Sequence, residues 1–149
     1  MHSREPMSEL EAFSAYPDDA YGDVVKDVVA EWRAAASRAM AQGLTPDALI
    51  MDPGLGFAKN ARQSTALLAA TGTIAREVGV PVCVGASRKS FLVRGASRTE
   101  APADRLGASL AAALFAARAG AAILRVHDVR ATRQALDLDG ALRAASERP

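Results

Sequence analysis

A single cysteine, Cys83, stands in the whole chain. One thiol can build neither an internal disulfide nor a cysteine-based zinc site, and its scarcity suits a reducing cytoplasm. Histidine is almost as rare: His2 and His127 lie at opposite ends of the sequence, a spacing that fits no zinc motif. Charge of one sign is not in excess either. With 18 Lys and Arg against 17 Asp and Glu, neither nucleic acid nor an anionic membrane is an expected partner. The most apolar run, Gly107 to Ala117, breaks at Arg118, well short of a bilayer span, and the N-terminus lacks the pattern of a signal peptide. Familiar nucleotide and hydrolase signatures are missing as well. "GLGFAK" lacks the third glycine of a dinucleotide fingerprint, "GASRKS" lacks the glycine that a P-loop places directly before its lysine, and neither a nucleophile elbow nor a metalloprotease helix is present. What remains is a chain of 149 residues, half of them hydrophobic, which fits one soluble cytoplasmic domain over residues 1–149 with room for a sizeable core.

The apolar residues that are there fall into an alternating pattern. From Tyr21 to Met40, Val24, Val25, Val28, Val29, Trp32, Ala36 and Met40 recur at helical spacing, with Gly43 behind them. A short run, Ala48 to Met51, reads as a buried strand. Asn60, with Gln63 three residues on, opens a second helix through Leu67, Leu68, Thr71, Ile74 and Val78 to Gly79. "VPVCVGAS" (80–87) is a second strand, Pro102 to Arg118 a helix with Leu106, Leu110, Leu114 and Ala117 on one face, and "AAILRV" (121–126) a third buried strand. A last helix runs from about Val129 towards Ala144, and residues 3–18 form a polar loop. Three short parallel strands alternating with helices imply right-handed βαβ units, an α/β fold.

In such folds the ligand lies at the carboxyl ends of the strands. The first strand ends at Asp52, the second runs into Ser87, Arg88, Lys89 and Ser90, and the third ends at Arg125 with His127 and Asp128 beyond it. Each residue has a plain structural reading: Asp52 as a turn residue before Pro53 and Gly54, Arg88 and Lys89 as solvated charges, His127 as a histidine satisfied by Asp128. Their recurrence at the same point of each βα unit favours a site, because collecting charge there does nothing for the scaffold. Asp52 is suited to accept paired N–H bonds from a guanidine-like heterocyclic edge. Gly54 and Gly56 let backbone approach a flat ligand, and Phe57 supplies a wall. Lys89 offers a movable donor, Ser90 a hydroxyl for an anion, and Arg125 with His127 a place for phosphate.

Together, "MDPGLGFAKN", "VGASRKSFL" and "ILRVHDV", in order and at these spacings, resemble the second half of the dihydropteroate synthases, the pterin-binding (β/α)8 barrels of folate synthesis. "YGDVVKDVVAEW" and the "MH" at residues 1 and 2 extend the resemblance more loosely over nearly the whole chain. It implies condensation of 4-aminobenzoate with 6-hydroxymethyl-7,8-dihydropterin diphosphate, releasing pyrophosphate, with magnesium present. It assigns Asp52 to the pterin edge, Lys89 to the pterin and the border of the aminobenzoate site, and Phe57 to the aromatic pocket, with Gly56 among the substrate-binding residues. Ser90 receives the aminobenzoate carboxylate, where sulfonamide drugs would also sit, and Arg125 with His127 holds the diphosphate. Lys89 and Arg125 are thereby the residues nearest the chemistry. No metal ligand is expected in this chain, because the family's magnesium-binding asparagine belongs to the first strand of the barrel.

A barrel of this type runs to about 250 residues, so the chain matches its C-terminal half, beginning at the end of the fifth strand. That implies open sheet edges and activity only when an N-terminal half is supplied, on the same or another chain, with a homodimer as the expected assembly. A non-catalytic half-barrel that pairs with itself and holds a pterin or phosphate is the alternative. A methyltransferase relative is a further one, which "SRKSF" opposes because that loop resembles an aminobenzoate site.

Overall fold

The computed structural model describes residues 1–6, 15–94 and 100–147. Helix α1, Val24–Ala41, starts at Asp23, whose carboxylate accepts the backbone N–H groups of Val25 and Lys26. It ends at Gly43, where Gly43 N–H donates to the Met40 carbonyl and Leu44 N–H to that of Ala39, a Schellman closure that needs the left-handed backbone of Gly43. Val28, Val29 and Ala36 are buried along it, whereas Met40, its penultimate residue, is exposed.

The segment expected to form one helix after Asn60 is two: α2, Ala61–Ala69, and α3, Thr71–Val78. Asn60 and Gln63 do form the reciprocal capping box. The break at Ala70 coincides with Thr71, whose hydroxyl donates to the Leu68 carbonyl and competes with the helical pattern. Four further elements follow: β1, Cys83–Val84; α4, Phe91–Arg94; α5, Leu106–Arg118, entered through a 3-10 turn at Pro102–Arg105; and β2, Ile123–Leu124, before α6, Val129–Ser146. Residues 3–6 and 15–18 contain no helix or strand, and the middle of the expected 3–18 loop, 7–14, lies outside the described residues.

The expected three full strands are corrected to less. β1 and β2 pair in parallel, Cys83 with Ile123 and Val84 with Leu124, and the segment ending at Met51 contributes one isolated parallel bridge to Val82. The order of the three segments is nonetheless the one the alternation implies, with 82–84 in the middle. Hydrogen bonds from Cys83 N–H to the Met51 carbonyl (2.7 Å) and from Arg125 N–H to that of Val84 (3.0 Å) bracket it. Apolarity in the sequence records what must be buried, not how long a ladder runs. The third strand is not buried as expected: Ile123 is 40 % exposed, and Ile50 beside the first is 52 % exposed. In register both share a sheet face with Cys83, while Met51, Val82 and Val84 point the other way into the core.

That core joins Val28, Val29, Leu55, Leu67, Ile74, Phe91, Ala112 and Ala116 to the sheet residues. The face that α5 buries differs from the expected leucine stripe. Ser109, Ala112, Ala113 and Ala116 face inward and Leu106 is exposed, because small side chains let the helix lie close to its neighbours.

Candidate active site

Asp52 directly follows the Met51 bridge, so the sheet fixes where its carboxylate begins. Its carbonyl accepts His2 N–H at 2.8 Å, and its Oδ1 accepts Gly54 N–H at 2.8 Å. The plain turn reading of Asp52 is therefore real, and it engages one carboxylate oxygen. Gly54 has φ +66°, and a Cβ built on it would lie 1.8 Å from the His2 carbonyl oxygen, so only glycine permits this approach. Phe57 N–H closes the turn on the Gly54 carbonyl at 3.0 Å, and buried Gly56 N–H donates to Ser64 Oγ at 3.0 Å.

At the end of β1 the chain turns through Arg88, which takes φ +60°. Asp128 holds the Arg88 guanidinium at 3.0 and 2.6 Å, Arg88 N–H donates to Ser109 Oγ, and Arg105 donates to the Arg88 carbonyl. An arginine fastened on three sides delivers its neighbour: Lys89 reaches back to the Leu55 carbonyl, with its ammonium 4.3 Å from the centre of the Phe57 ring. Burial pulls the Lys89 pKa down to about 8; Asp52 opposes that shift and Arg125 adds to it. Leu55, Gly56, Phe57, Arg88, Lys89, Ser90 and Arg105 line a cavity of about 290 Å³. Its cationic and aromatic lining suits a small aromatic anion.

The third strand end is more open. Arg125 and His127 are exposed, and Arg125 faces Gly85, whose absent side chain leaves 3.7 Å between a built Cβ and the arginine's own. His127 Nδ1 lies 3.1 Å from Ser87 Oγ, which also accepts His127 N–H. The structure thus gathers Gly56, Phe57, Lys89 and Ser90 around one cavity with Asp52 and Arg125 in electrostatic reach, whereas His127 lines a separate recess with Asp128 and Arg130.

Sequence reasoning passed over several residues. Arg105 and Ser109 hold the second strand end, and no local pattern marks them; Ser87, named only as a strand-end residue, holds the third. Lys59 and His2 also went without a role, although both stand inside the quoted motifs. Lys59 is fully buried, and His2 bridges it to Glu31, with His2 Nε2 at 2.8 Å from Glu31 Oε2. Burial, then Lys59, holds the His2 imidazole below its usual pKa, so it stays neutral near pH 7. Among the described residues no three of His, Cys, Asp and Glu converge as a metal site, and no helix is long and apolar enough to cross a membrane.

The family model for pterin binding enzymes matches residues 1–127. The chain belongs to the pterin-binding enzyme family. Among curated members of this family, the dihydropteroate synthase of Mycobacterium leprae is 43 % identical over 136 residues, covering 89 % of this chain and 48 % of its own length. That of Escherichia coli K12 is 37 % identical, with 85 % and 44 % covered. The chain spans about half the length of the curated relatives it matches. Among solved structures, Xanthomonas albilineans dihydropteroate synthase in complex with 7,8-dihydropteroate superposes with a TM-score of 0.78 at 38 % identity, over 91 % of this chain and 50 % of that one. The Stenotrophomonas maltophilia enzyme with bound imidazole gives 0.85 at 35 % identity, over 96 % and 51 %.

Proposed function

We propose that the chain forms the C-terminal half of a dihydropteroate synthase barrel, its single domain completed by an N-terminal half, and that the completed protein joins 4-aminobenzoate to 6-hydroxymethyl-7,8-dihydropterin diphosphate. The observation that carries this reading is the cavity in which Lys89 lies over the Phe57 ring beside Ser90, since it combines a flat apolar wall with donors for a carboxylate. Relatives solved with 4-aminobenzoic acid and with 7,8-dihydropteroate support the choice of ligands. Asp52 keeps Oδ2 for the pterin's amino and ring N–H edge, and Gly56 lets that ring lie close. Arg125 and His127 take the diphosphate. In the reaction the bond between the pterin methylene carbon and the diphosphate oxygen breaks, and its electron pair leaves with pyrophosphate. The aniline nitrogen then bonds to the cationic methylene and loses a proton. Charge stabilisation by Arg125 and Lys89 serves this step, and no covalent enzyme intermediate is required.

Magnesium would offset the negative charge of the diphosphate and ease its departure. The chain's own groups there, a guanidinium and an imidazole, bind anion and not Mg²⁺, so its protein ligand belongs to the missing half. A reducing cytoplasm and a homodimer complete the reading.

Turnover of the complete protein tests it. Asp52→Asn and Lys89→Ala should each lower the rate at least about tenfold, because a lost bond to a charged group is worth about 1.5–3 kcal/mol. Near-normal rates in both would remove the site assignment. The exposed Ile50 and Ile123 on the uncovered sheet face favour one second reading, a non-catalytic half-barrel that pairs with its own copy and holds pterin or phosphate. A folded monomer in sedimentation would reject that pairing. The lysine and serine in the cavity oppose a methyltransferase.

A further inference from the structure

Lys59 heads the largest fully buried side chains, at 0 % exposure, and no step of the reaction above uses it. Its Nζ lies 2.9 Å from the Phe57 carbonyl oxygen, 3.0 Å from His2 Nδ1 and 3.5 Å from the His2 carbonyl oxygen. Glu31 is joined to it through the His2 ring: neutral His2 donates from Nε2 to Glu31 and accepts at Nδ1 from the ammonium. Burying an ammonium is costly, and burial draws the Lys59 pKa down to about 7. A methionine would fill the same space without that cost. The acceptors explain the lysine, because they sit at the two ends of one turn. His2 is hydrogen-bonded through its backbone to Asp52, and Phe57 ends the turn that Asp52 begins.

We infer that Lys59 is a positioning residue: its buried amino group ties residue 2 to residue 57 and closes the Asp52–Phe57 turn, fixing the carboxylate and the aromatic wall that face the pterin. The ligand in this statement rests on the proposed function; the closure of the turn does not.

Two measurements on the full chain separate them. Amide hydrogen exchange should show Gly54, Gly56 and Phe57 exchanging at least about tenfold faster in Lys59→Met, with Ala112, Ala113 and Ala116 of α5 unchanged. His2→Leu, which removes one acceptor and leaves the Phe57 carbonyl, should give a smaller acceleration at the same three amides, and it serves if Lys59→Met does not fold. In parallel, titration with 6-hydroxymethyl-7,8-dihydropterin diphosphate should show affinity at least about tenfold weaker in Lys59→Met, set beside Asp52→Asn. Turn amides that keep wild-type rates, or an acceleration spread equally over α5, overturn the inference. A completed wild-type protein that binds no pterin counts against the proposed function, and the exchange rates still decide the role of Lys59. Pterin affinity unchanged in Lys59→Met but weakened in Asp52→Asn would leave the site standing and reject the positioning role.

Discussion

Exchanging Gly54 for alanine should cost at least about 3 kcal/mol of stability. Its positive φ alone accounts for about 1–2 kcal/mol once a Cβ is present. The larger share comes from His2, whose carbonyl oxygen would stand 1.8 Å from that Cβ. The obstacle is main chain, so relief requires residue 2 to move. That movement breaks the His2 N–H bond to the Asp52 carbonyl, worth about 1 kcal/mol, and leaves the buried Lys59 amino group short of acceptors, at about 1–3 kcal/mol. Gly43→Ala is the control, since Gly43 has φ +97° with nothing within 4 Å of its built Cβ, and should lose only the backbone strain of about 1–2 kcal/mol. Urea unfolding followed by circular dichroism gives both values from the midpoints, provided the slopes agree. Equal losses in the two variants would refute the claim that residue 2 is packed against this turn.

Three further outcomes follow from the same geometry. Asn60→Ala removes one half of the capping box of α2 and should cost about 1 kcal/mol in the same unfolding assay. Lys59 and Lys89 release their protons in the folded chain near pH 7 and 8, below the ordinary 10.5, so between about pH 7 and 10 the unfolded chain holds more protons and stability rises with pH. Urea midpoints across that range should climb, and climb less in Lys59→Met; a flat profile would contradict the burial of both ammonium groups. Asp128→Asn frees Arg88 from a solvent-screened pair and should leave stability nearly unchanged. In calorimetry with the completed barrel it should nevertheless weaken 4-aminobenzoate binding, because Arg88 carries Lys89 and Ser90.

The helices were largely legible because amphipathic spacing, the Asn60–Gln63 pair and terminal glycines at 43, 79 and 120 are local signals. So were the strand ends, where Asp52, Lys89 and Arg125 stand next to the apolar runs that place them. Strand length was not legible. Ala121 to Val126 reads as buried because it is apolar, yet burial depends on what covers the sheet face, and Ile123 is left 40 % exposed. The inward face of α5 was misread for a related reason: hydrophobicity favours its leucines, but close packing selects its alanines. Lys59 escaped because nothing local distinguishes a buried lysine from a solvated one; its partners are contributed by residues 2 and 57, one close in sequence and one far away.

The most direct test of the central claim is a paired measurement of product by the protein at its full cellular length. Supplied with 4-aminobenzoate, 6-hydroxymethyl-7,8-dihydropterin diphosphate and magnesium, the wild type should form dihydropteroate and pyrophosphate in equal amounts, at least about tenfold faster than Lys89→Ala. Pyrophosphate release without dihydropteroate, no product at all, or a Lys89→Ala variant that keeps pace with the wild type would contradict the account.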